Sequence, residues 1–159
     1  MKRQTGFTLI ELMVVIGILG ILAGTAIGFQ KRYRERTVGS EALVMMKQLL
    51  EAEIIYFLAH NEFFPSSDDS DEILIWNSGV DPSTGNQQRA LNALHVAIPT
   101  GHSLDFRVYR DPDPLNPTGS PVTIEISPPP GGIRLFPDAP NGIWGTVNKE
   151  GKIEGPFAL

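Results

Sequence analysis

The stretch FTLIELMVVIGILGILAGTAIGF, residues 7–29, runs 23 residues with a single charge, Glu11. At about 1.5 Å per residue a helix of that length crosses the roughly 30 Å hydrocarbon core of a bilayer. The segment therefore reads as a transmembrane helix. Lys2 and Arg3 precede it as they would in a cleaved secretory signal, but the apolar part of such a signal is only about 7 to 15 residues long and ends in a small-residue cleavage site.

The rest of the 159 residues divides sharply from this beginning, because all 13 prolines fall at or after Pro65. Residues 1–60 carry seven Lys/Arg against five Asp/Glu, a balance of +2; residues 61–159 carry six against thirteen, a balance of −7. The chain is thus an apolar, basic beginning joined to an acidic, proline-punctuated remainder. With no cysteine, it has no disulfide framework, thiolate metal site or cysteine nucleophile, and an exported part must hold by packing alone.

Glu11 is the anomaly. A carboxylate near hydrocarbon is costly unless something compensates it, and Lys2 and Arg3 are expected to lie outside the apolar layer. A cation brought by another chain would resolve the difficulty. The run Gly6, Phe7, Thr8, Leu9, Ile10, Glu11, Leu12 behind a short basic leader resembles the processing signature of type IV pilins and of the pseudopilins of type II secretion. That resemblance implies cleavage after Gly6 by a membrane-embedded prepilin peptidase and methylation of the new N-terminal Phe7. It further implies that Glu11 neutralises the α-amino group of a neighbouring subunit. Such an amine has an ordinary pKa near 8 and is largely protonated at neutral pH. Pairing the two between chains would relieve the burial penalty of both.

Further expectations follow. Gly20, Gly24 and Gly28 recur every four residues and would form a small-residue stripe for close helix packing. Many pilins have a proline where this chain has Gly28. By charge alone, Lys31, Arg32, Arg34, Arg36 and Lys47 beyond the span would place the C-terminal side in the cytoplasm. The resemblance requires the opposite, with the leader inside and the run KRYRER forming a collar outside. Long domains can be exported regardless of such charge.

Val38, Ala42, Met45, Met46, Leu49, Leu50, Ile54, Phe57 and Leu58 follow three- and four-residue spacing with Glu41, Lys47, Glu51 and Glu53 between them, which predicts that the helix continues to about residue 60 as an amphipathic rod. Pro65 and the acidic run after it end the helix. EILIW predicts a short strand and QQRALNALHVAI a short helix. LDFRVY (104–109), PVTIEI (121–126), GIRLF (132–136) and the pair within 143–153 predict an antiparallel sheet whose last two runs form a hairpin.

No catalytic constellation is visible. His60, His95 and His102 lie in separate segments without metal-ligand spacing, and no phosphate-binding glycine loop or nucleophile elbow occurs. The acidic remainder argues against direct nucleic-acid binding. Asp68, Asp69, Asp71 and Glu72 read as a solvated loop; Asp111, Asp113, Asn116 and Asp138 could supply oxygen ligands for a calcium ion, which some pseudopilins use as a clamp. Trp76 and Trp144 read as core or strand residues rather than as a platform for a sugar.

The expectation is an α+β pilin fold: leader 1–6, transmembrane and assembly helix 7–29, amphipathic continuation 30–60, and an extracytoplasmic head 61–159. The chain would be a structural, non-enzymatic subunit that forms a helical homopolymer with the pilus or secretion assembly machinery. It would sit in the inner membrane as a precursor and serve adhesion, motility or DNA uptake in an extracellular or periplasmic filament. A type II secretion pseudopilin and a single-span anchored binding module are the alternatives.

Overall fold

A computed structural model describes residues 7–66, 72–76, 84–98, 103–110, 122–136 and 141–158. The chain forms two compact units, Met1–Arg34 and Glu35–Leu159. One helix, α1 (Leu9–His60, 52 residues), contributes to both.

In the first unit every described residue is exposed. The helix there is apolar on all sides, and no part of its apolar stretch is buried in protein. An all-round apolar helix is stable only inside a membrane or among other helices. It is the only helix among the described residues long and apolar enough to cross a bilayer.

The second unit is a helix-on-sheet layer. Strands β1 (Glu72–Ile75), β2 (Asp105–Arg110), β3 (Val122–Ser127), β4 (Ile143–Val147) and β5 (Ile153–Ala158) pair in chain order as an antiparallel meander. The short helix α2 (Thr84–Leu94) packs beside β1, and Asn86 Nδ2 donates to the Leu74 carbonyl at 2.7 Å. Alternation decides the faces. Ile73, Ile75, Phe106, Val108, Ile124, Ile126, Ile143 and Val147 point inward onto Ala42, Met46, Leu49 and Leu50 of α1. Gly145 permits the close approach of the layers, since a Cβ there would lie 3.0 Å from Leu50 Cδ1 and 3.4 Å from Met46 Sδ.

The helix ends at His60, where the spacing predicts it to end, five residues before Pro65. Asn61 takes φ +59° and its N–H donates to the Phe57 carbonyl at 2.7 Å, a left-handed cap of the kind asparagine tolerates. The β4–β5 hairpin is closed by Asn148, whose side chain accepts from Lys152 N–H at 2.9 Å, and by Gly151 at φ +75°. Strand β5 includes Pro156, which is compatible with its place at the sheet edge because that position needs no ladder N–H.

Three expectations are corrected. GIRLF (132–136) is not a strand: it crosses α1 as an irregular strap, with Leu135 buried and its carbonyl so near Gly39 that a Cβ would lie 2.1 Å away. Leu58, placed in the apolar stripe, is 79% exposed, because the stripe leaves the sheet before the helix ends. Glu53, placed among the polar positions, is fully buried.

Candidate functional site

The start of α1 is organised by its own side chains. Phe7 precedes the helix and is 86% exposed. Thr8 is the N-cap: Glu11 N–H donates to Thr8 Oγ1 at 3.3 Å, and Glu11 Oε2 accepts from Thr8 N–H at 3.0 Å and from Thr8 Oγ1 at 2.8 Å. This reciprocal pairing is a capping box, which satisfies backbone donors that the first helical turn otherwise leaves unpaired. The carboxylate that sequence reasoning assigned only to an external cation therefore already has a partner in its own chain. Thr8 and Glu11, three residues apart before an apolar run, were the legible signal. Both bonds fall on one oxygen. The carboxylate stands beside a shallow apolar groove of about 320 Å³ formed by Phe7, Ile10, Val14 and Val15.

Gly6 lies outside the described residues. Gly20, Gly24 and Gly28 have no heavy atom within 4 Å of a constructed Cβ, so the stripe is open within the single chain. Beside Gly28, a notch of about 250 Å³ is lined by Thr25, Phe29 and Arg32.

In the second unit the unanticipated residue is Glu53. Its Oε2 accepts from Phe64 N–H at 3.0 Å, and its Oε1 is buried with no hydrogen-bond partner among the described residues. Burial pushes its carboxyl pKa up to about 8, opposed by the Phe64 hydrogen bond and by the charge of Arg110. Its spacing to Met46, Leu49, Leu50 and Phe57 was the available signal, since all four lie three, four or seven positions away on one helical face.

His60 stacks on Tyr56 with ring centroids 4.2 Å apart, and His95 closes α2 at φ +55°. His102 lies outside the described residues, as do Asp111, Asp113, Asn116 and Asp138. Among the described residues no group of three or more His, Asp or Glu side chains could hold a metal ion.

Residues 1–27 match the family model described as the prokaryotic N-terminal methylation motif. The fimbrial protein of Neisseria meningitidis serogroup A is 38% identical over 93 residues, 58% of this chain and 50% of that protein. The type IV major pilin protein PilA of Myxococcus xanthus is 39% identical over 85 residues, 54% of this chain and 35% of the relative. The chain is thus similar to type IV pilins over its N-terminal part. A fimbrial protein of Pseudomonas aeruginosa is 41% identical over 71 residues, covering 45% of this chain and 46% of that protein. The chain thus spans half or less of the length of these curated relatives. No solved structure matches it. The long apolar helix and the antiparallel sheet packed on its second half are those of the pilin fold.

Proposed function

We propose that the chain is a precursor subunit of a type IV pilus, structural rather than catalytic. In this reading prepilin peptidase cuts after Gly6, Phe7 becomes the methylated N terminus, and the subunit polymerises through its first unit. Gly20, Gly24 and Gly28 serve helix packing in the resulting homopolymer. Inner-membrane insertion precedes assembly by the pilus machinery, and the filament stands outside the cell.

The supporting observation is the fully exposed apolar helix that carries one carboxylate, Glu11, within a segment matching the N-terminal methylation motif. Only one of that carboxylate's oxygens is engaged by Thr8. Among the described residues the other has no partner, so it can meet an α-amino group from a second copy, and pairing in a water-poor bundle favours assembly in one register. Relatives named as pilins favour a pilus over a secretion pseudopilus.

Intact-mass measurement of sheared filaments tests the whole reading: the expected subunit lacks residues 1–6 and carries one methyl group on Phe7. Glu11→Ala should remain in the membrane and fail to enter filaments. A Gly6 substitution should keep the leader. Filaments of normal yield from the Glu11 variant, or trimming at Phe7 in the Gly6 variant, would refute it.

A further inference from the structure

The sheet face turned away from α1 has a feature that assembly through the N-terminal helix does not use. Trp76 follows Ile75 at the end of β1; Ile75 pairs with Phe106, and the preceding residue Asp105 pairs with Ser127 of β3. Trp76, Asp105 and Ser127 thereby come together on the outer face. The expectation that Trp76 is a core or strand residue is corrected: it follows β1 and is 45% exposed, much for so large an apolar side chain.

Two grooves meet at these three residues. One, of about 320 Å³, extends across the sheet to Arg107. The other, of about 300 Å³, extends along the 128–132 turn to Arg134 and Asn141. Each is at the lower end of the size range of small-molecule sites, and together they make an extended one. Arg107 is fixed by Glu72 and by Glu125 (3.4 Å), and its guanidinium lies 4.5 Å from the centroid of the Tyr109 ring. Asp105 is 4% exposed. The donors and acceptors of the first groove are therefore held in place before any ligand arrives, which lowers the ordering cost of binding.

The lining chemistry selects the ligand class. An organic cation would suit Trp76 and the carboxylates but would meet Arg107 and Arg134. An anion would suit the arginines but would meet Glu72, Asp105 and Glu125. A neutral ligand rich in hydroxyl groups can donate to the carboxylates and accept from the guanidinium and amide groups, while an apolar ring face lies on the indole. We propose that these joined grooves bind a neutral glycan of at least two pyranose units, with one ring on Trp76.

The test uses the full chain in zwitterionic detergent micelles free of sugar head groups. Trp144→Phe leaves Trp76 as the sole tryptophan. The protein is first applied to an array of neutral, sialylated and sulfated glycans, and the best neutral binder is then titrated. The expected result is a saturable change in Trp76 fluorescence, with calorimetric affinity falling about tenfold in Trp76→Ala, as loss of a stacking partner predicts. Asn141→Ala is an exposed change that leaves the fold intact and should weaken binding about threefold even if Trp76→Ala misfolds. Absence of any neutral binder, binding confined to sialylated or sulfated glycans, or affinity unchanged in both variants would each overturn the proposal.

Discussion

Replacing Glu53 by glutamine should flatten the pH dependence of stability of the head. In the folded chain its carboxyl is buried and titrates near pH 8, whereas in the unfolded chain it returns to its ordinary value of 4.5. Below pH 4.5 both states are protonated and the group contributes no difference. Between pH 4.5 and 8 the folded state retains the proton and the unfolded state releases it, so stability falls as pH rises and the loss is complete above about pH 8. At about 1.4 kcal/mol per pH unit, the interval corresponds to about 5 kcal/mol. For a unit of this size that lowers the melting temperature by on the order of 15 °C. Glu53→Gln preserves an oxygen for Phe64 N–H and removes the titration. Thermal unfolding of the full chain in micelles, followed by tryptophan fluorescence at pH 5 and pH 8.5, should show the wild type losing far more stability than the variant. Other carboxylates contribute equally to both proteins and cancel in the comparison. Parallel pH profiles would refute the assignment of a protonated, buried Glu53.

Gly39→Ala should destabilise the head by about 1 to 3 kcal/mol, since its new methyl would meet the Leu135 carbonyl and the Phe136 ring; urea or heat unfolding checks it. Leu49→Ala, at a fully buried position between helix and sheet, should lose about 2 to 5 kcal/mol in the same assay. Arg107→Leu removes two solvent-accessible ion pairs and should alter stability by less than about 1 kcal/mol, because solvent screens its charges. Thr8→Val should weaken the helix start by about 1 kcal/mol, seen as faster amide exchange at residues 9–12 in micelles.

The long helix and four of the five strands were legible because periodicity survives without tertiary information. Apolar residues at helical spacing carried α1 to His60, and alternation marked β1 to β4. GIRLF also alternates, yet it docks on α1 as a strap because the Gly39 gap admits its backbone, and no local pattern reports a gap on another element. Most of β5 was hidden by Gly155 and Pro156, which weigh against a strand except at the edge position that the meander assigns it. Glu53 was misread because its polarity outweighed its position in the stripe. The identity of the residue said surface, and the geometry of the helix said core.

Glu11 joins the two scales of this molecule. Sequence alone posed it as a charge in need of a distant partner, but the capping box shows that its first task is local: it holds the Thr8 N–H and hydroxyl on one oxygen and so fixes its own rotamer. A carboxylate held in this way loses little further freedom when a cation reaches its other oxygen. In the proposed assembly the box would thus favour intermolecular pairing by preorganisation rather than compete with it. On that argument Thr8→Val leaves the charge intact and still slows filament assembly, whereas Glu11→Gln can keep the cap and abolish the pairing. If assembly depended on charge alone, only the second change would matter.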